Sequence, residues 1–286
     1  MKVPMSVLKA TVGVPAIVAS TLLWIIGLAL APPLCGLLGF TAGVVALVLL
    51  ATGAAETAAA RVLLGARTAT AAEQTVFAPV LAHAAAPEAS MAQRRLLVRQ
   101  NVGARTPPVQ LLGRESVVVT PWLIEATYRG WLGLDEAAAL MVHAEGRHQA
   151  EARRCELAML AWMLPWRALG GIARGIGRVT GWVPFIGFAW ALRGVMGVVA
   201  LVQQVDEGRP ALGVLAASIV ALTYLVPAAN HAIGRRVESE ADDLVVRRGL
   251  GPSMSAMLRR YRLPVSLERL HHLDGSRHGA HVPVAG

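Results

Sequence analysis

Long uncharged apolar stretches alternate with shorter polar ones along the chain, and the long stretches set its organisation. Thr11 to Ala31 carries no charged side chain, and after the Ala31-Pro32-Pro33 break neither does Leu34 to Ala51. Each run has about the length a helix needs to cross roughly 30 Å of hydrocarbon. A secretory signal has a core of only about 7–15 apolar residues and is not followed at once by a second span. The two runs therefore predict a helical hairpin. Trp182 to Gln204, interrupted only by Arg193, and the uncharged Ala211 to Ala229 predict a third and a fourth span.

Flanking charges orient these spans. Lys2 and Lys9 precede the first hairpin, Arg61 and Arg67 follow it, and the connection within it has no charge. Lys and Arg are retained on the cytoplasmic side, so both ends of the hairpin are expected there. Gln203 to Pro210 would be a short loop on the far side, returning the chain to the cytoplasm near His231, Arg235 and Arg236. An intramembrane charge such as Arg193 reads equally as a pathway residue or as a side chain reaching an interface or polar cavity.

Between the hairpins the pattern is that of a soluble region. Glu56 to Gln100 is Ala-rich with scattered charges, which predicts soluble helices with a break near Pro87. Val109–Leu112 and Ser116–Thr120 are short β-type runs separated by Gly113-Arg114-Glu115, hence a small β hairpin. Pro121 opens a helical stretch ending at Gly130, and Asp135 is the expected N-cap of the next helix. Trp162, Pro165 and Trp166 suggest a segment at the lipid–water boundary, where indoles prefer to sit. Gly170 to Gly181 contains Gly175-x-Gly177 with no strand before it, which argues against a nucleotide fingerprint. The polar tail from Leu263 to Gly286 is expected to be loosely ordered.

Composition agrees with a bilayer as the main partner. Apolar residues make up 55% of the chain and charged residues 16%, against about 25% charged in soluble domains. The net charge of +9 could signal nucleic acid, but the basic residues lie beside the spans and lack interleaved aromatics. Cys35 and Cys155 have no CxxC partner, so no disulfide framework is implied. Both read as buried apolar thiols.

The chemistry lies in Leu140-Met141-Val142-His143-Ala144-Glu145-Gly146-Arg147-His148. In HExxH two histidines on one helical face ligate zinc, and the Glu after the first serves as general base to the metal-bound water. Here Glu145 and His148 stand at the base and second-ligand positions. Ala144 holds the first-ligand position, and the histidine comes one residue earlier, at His143. Further on, Glu238 and Asp242 are four apart and share a helical face. A distant carboxylate ligand with a second carboxylate to orient an imidazole is a standard zinc arrangement.

In this order, two spans, a β hairpin, the histidine helix, two more spans and ExxxD, the chain resembles the HtpX family of bacterial membrane zinc endopeptidases, relatives of the CAAX prenyl proteases. The resemblance runs from Ser116-Val117-Val118-Val119-Thr120 through Leu132-Gly133-Leu134-Asp135-Glu136 to His148, and again over Arg235 to Asp242. It implies a mainly α membrane protein of the inner membrane, with four transmembrane helices and a gluzincin-like cytoplasmic domain carrying a small β hairpin. The corresponding domains are 1–55, 56–181, 182–230 and 231–286. It further implies one zinc ion held by His148 and Glu238, Glu145 as base, Asp242 as orienting residue, and membrane or misfolded proteins as substrates.

The displaced histidine leaves two readings. On a straight helix Ala144 and His148 are about 40° apart, whereas His143 and His148 are about 140° apart, so His143 should face away from the site. A π-bulge, eased by Gly146, would bring positions five apart together. Without it the metal site lacks a ligand, unless His231, His271 or His272 supplies one, and the chain would be a protease-like scaffold that binds membrane proteins or assembles with partner subunits.

Overall fold

The computed structural model describes residues 3–85, 94–101, 103, 106–113, 115–151, 156–180 and 184–275. Cys155, the Pro87 break and the end of the polar tail lie outside these residues. The described chain is mainly helical and divides into two compact units, one of Met1–Ala42 with Leu160–Arg235 and one of Gly43–Met159 with Arg236–Gly286.

In the first unit, α1 (Met5–Leu30) is followed after a two-residue break by α2 (Pro33–Thr52), which runs on into the second unit. Later come α7 (Glu156–Trp162), which starts in the second unit, α8 (Leu164–Thr180), α9 (Pro184–Asp206) and α10 (Pro210–Arg247), which runs on into the second unit after Arg235. Among the described residues three helices, α1, α2 and α10, are long and apolar enough to cross a membrane. Their apolar side chains are mostly exposed, Cys35 among them. The buried thiol expected at Cys35 is thus corrected: α2 presents it outward, as a span presents residues to lipid. An indole pair ties α1 to the end of α7. Trp162 Nε1 donates to Thr21 Oγ1 at 3.2 Å, Trp24 Nε1 donates to the Trp162 carbonyl at 3.1 Å, and the rings lie 6.3 Å apart.

The second unit is built on a four-stranded sheet. It has β1 (Ala66–Thr68), β2 (Arg95–Arg99), β3 (Val109–Leu112) and β4 (Ser116–Val119) in the order β1-β2-β4-β3. The predicted hairpin is the antiparallel β3–β4 pair, with Val109 opposite Val119. The all-helical expectation for Glu56 to Gln100 is corrected. That stretch holds α3 (Glu56–Leu64) and α4 (Ala71–Ala85), but also β1 and β2, and β2 runs parallel to β4. Leu96, Leu97 and Val98 are all buried, so β2 is a central strand that alternation would not reveal.

Helices close over this sheet. They are α5 (Pro121–Tyr128), α6 (Leu134–Glu151), α11 (Gly251–Arg260) and α12 (Leu267–Asp274). The core gathers Phe77, Val98, Val117, Leu123, Met141 and Val245, every one at 0% exposure. A capping box starts α4: Thr70 N donates to Glu73 Oε2 at 2.7 Å and Glu73 N to Thr70 Oγ1 at 3.3 Å. Asp135 does not cap α6 as expected. Gly133 precedes the first turn, and its N–H donates to Glu136 Oε2 at 2.9 Å, while Asp135 lies 2.9 Å from His83 Nε2.

Candidate functional site

Helix α6 is α-helical throughout, without a π turn at the histidines. Its Gly146 serves a different purpose from the one foreseen. A Cβ there would lie 2.7 Å from Ala241 Cα, so the missing side chain lets α6 and the end of α10 touch backbone to backbone. That approach brings the histidine helix against the carboxylates of α10.

Two polar clusters result. In the first, His143, only 9% exposed, lies with Nε2 3.7 Å from Glu238 Oε1 and Nδ1 3.2 Å from Asp242 Oδ1. Arg269 of α12 completes the cluster. Its Nε and Nη2 donate to the two oxygens of Asp242 at 2.6 and 2.9 Å, and Nη1 sits 2.7 Å from Glu238 Oε1. Burial works against the charge of Arg269, but Asp242 and then Glu238 outweigh it and raise its pKa.

In the second cluster are Glu145 and His148. Glu145 is 3% exposed, accepts from Gln149 Nε2 at 3.4 Å and has Oε2 3.8 Å from Arg248 Nη2. His148 has its pKa pushed below the usual imidazole value by burial and then by the positive charge of Arg94. A hydrogen bond with the Gly113 backbone and the charge of Glu56 oppose the shift. Arg94 is itself lowered by burial, against the pull of Glu145 and Glu56, and its Nε and Nη1 are buried without hydrogen-bond partners. Glu56 Oε2 accepts from Glu115 N at 3.1 Å, and a Cβ on Gly113 (φ +61°) would come within 2.2 Å of this carboxylate.

The expected division of labour is therefore rearranged. His143, expected to face away, is the histidine beside Glu238 and Asp242, whereas His148 engages Gly113, Arg94 and Glu56. Helical geometry accounts for the split. Leu140, His143, Ala144 and Arg147 form one stripe of α6 lining a cavity of about 640 Å³, and Glu145 and His148 fall on another. The same cavity is bordered by Glu238, Arg269 and an apolar wall that includes Trp122, Met254, Met257, Tyr261 and Pro264. His272 contacts Asp243 at 2.7 Å, and His231 and His271 are exposed.

The described residues do not assemble the three-ligand set of a catalytic zinc site. Among the described residues no three His, Cys, Asp or Glu side chains gather where they could hold one ion. The chemistry of the donors weighs more. A guanidinium already engages both α10 carboxylates, where a divalent cation would have to displace it. Arg94, Arg248 and Arg269 all escaped the sequence reading. Isolated arginines carry no motif, and the stretch that holds Arg269, expected to be loosely ordered, instead forms α12 with Leu273 buried. Comparison of the chain with protein-family models, with curated proteins and with solved structures finds no match.

Proposed function

We propose that this chain is a membrane-anchored, metallopeptidase-like protein of the HtpX type in which an internal ion-pair cluster stands in place of the zinc centre, and that it holds segments of other membrane proteins without cutting them. The observation that carries the reading is the forked pairing of Arg269 with Asp242 and its contact with Glu238. Such pairing satisfies the two carboxylates that the resemblance places at the metal site, Glu238 as ligand and Asp242 as orienting residue. The apolar cavity beside His143 is of a size to take a few side chains of a bound segment.

A four-span topology in a bacterial inner membrane, with the sheet unit on the cytoplasmic side, belongs to the same proposal. The seam between α9 and α10 supports it. Added Cβ atoms on Gly197 and Gly213 would approach Val220 and the Leu201 carbonyl to 3.0 and 2.9 Å, the small-residue packing that membrane helices favour. Arg193 reaches across this seam, with Nε 3.0 Å from Thr223 Oγ1 and the guanidinium 3.9 Å above the Tyr224 ring.

Zinc-dependent cleavage is the second reading, favoured by the contacts of His143 with Glu238 and with Asp242. Zinc content and proteolysis of an unfolded membrane substrate, measured on the purified full chain, separate the two. The proposal expects substoichiometric zinc and no cleavage. Full occupancy with zinc-dependent cleavage would overturn it.

A further inference from the structure

Helix α8 (Leu164–Thr180) carries an uncommon distribution of charge. Its only charged positions are Arg167, Arg174 and Arg178, and the chain has no acidic residue between Glu156 and Asp206. On a helix of 3.6 residues per turn these three positions fall within about 40° of one another, along roughly 16 Å of axis. The opposite side holds Leu169, Ile172 and Ile176, at about 140–200° from Arg167. Leu169 and Ile172 are 44% and 60% exposed even though α8 packs on α1. Helix α1 has Lys9 as its one charged residue, so this neighbour offers the arginines no carboxylate.

A one-sided row of basic positions backed by exposed apolar side chains, on a helix packed against α1, which is long and apolar enough to span a membrane, matches a single partner: the headgroup layer of anionic phospholipid. We propose that α8 is an interfacial helix that selects anionic lipid, its arginine row binding headgroup phosphates while Leu169 and Ile172 enter the acyl boundary. Trp166, 45% exposed and at the edge of the apolar side, sits where an indole is stabilised between the two layers. This inference rests on the membrane reading but not on any protease-like role. Arginine suits the task because its planar fork binds phosphate oxygens in pairs.

The test uses the full chain in detergent, titrated with phosphatidylglycerol or phosphatidylcholine and read by native mass spectrometry. The natural chain should retain phosphatidylglycerol preferentially, and inorganic phosphate should not displace it. Each Arg→Gln change at 167, 174 and 178 should lower that preference by roughly fivefold. The triple Arg→Lys variant should keep most of it, which distinguishes lost binding from lost folding. Removing the same charge elsewhere, through Arg61→Gln, Arg99→Gln and Arg129→Gln, should change little. Equal retention of the two lipids, or equal loss in the remote triple variant, would overturn the inference while leaving the membrane reading intact. A chain that stays soluble and monodisperse without detergent would overturn both.

Discussion

Arg269 and Asp242 form a two-pronged ion pair, Nε to Oδ2 at 2.6 Å and Nη2 to Oδ1 at 2.9 Å, across 27 residues of sequence. Asp242 is 3% exposed, so without its partner it would be a buried charge facing only His143. Arg269→Ala should destabilise the sheet unit by about 3 kcal/mol, the lower end for broken buried pairs, because Arg269 is partly exposed. Arg269→Lys should fall in between, since it loses the fork. Thermal unfolding in detergent would check this, and adding Asp242→Asn to Arg269→Ala should recover part of the loss. An unchanged midpoint for Arg269→Ala would mean that the pair contributes nothing.

Restoring the HExxH spelling should not by itself restore zinc. The double change His143→Ala with Ala144→His puts two imidazoles on neighbouring positions of one face, but leaves Arg269 on Glu238. We expect zinc affinity to rise by orders of magnitude only when Arg269→Ala is added, measured by metal competition with a chromogenic chelator. High affinity in the double variant alone would show that the guanidinium is no obstacle.

Gly146 sits where α6 and α10 meet, with 2.7 Å between its absent Cβ and Ala241 Cα. Gly146→Ala should cost about 1–3 kcal/mol through overpacking, despite alanine's better helix propensity. Ala241→Gly should not rescue it, because the nearest atom is backbone. A stabilised Gly146→Ala protein in thermal melts would refute this close approach.

Acid should loosen the start of α4. The hydrogen bond from Arg67 lowers the pKa of Glu73 to about 2, with burial opposing and Thr70 assisting, from an ordinary 4.5. A folded-state pKa below the unfolded value adds stability that is present above about 4.5 and is lost as pH falls toward 2. Glu73→Gln should therefore flatten the pH dependence of the melting temperature over that window and leave the slope near neutrality unchanged. Both side chains are partly exposed, so added salt should diminish the effect.

Topology is open to direct labelling. In a background without Cys35 and Cys155, single cysteines replacing Glu207 and Ala256, both exposed, should react from opposite sides of the membrane. Reaction from one side only would remove the fourth span.

The apolar runs of α1, α2 and α10 and the β3–β4 hairpin were legible in the sequence because lipid and sheet faces impose their own local patterns. Gly146, His143, Glu238 and Asp242 were equally visible as chemistry-bearing residues. Their arrangement was not. Whether His143 or His148 meets Glu238 depends on the azimuth at which α6 packs against α10, and that is fixed by the backbone contact at Gly146–Ala241. The strand β2 was hidden because a central strand buried on both faces shows no alternation. Arg94 and Arg248 lie 51 and 103 residues from Glu145, and Arg269 lies 27 residues from Asp242 and 31 from Glu238. Ion pairs over such separations leave no periodic trace. The sequence by itself determined which segments are apolar enough for a membrane and which residues could do chemistry; only the packing of α6, α10 and α12 decided that an arginine, brought in from the end of the chain, engages the carboxylates.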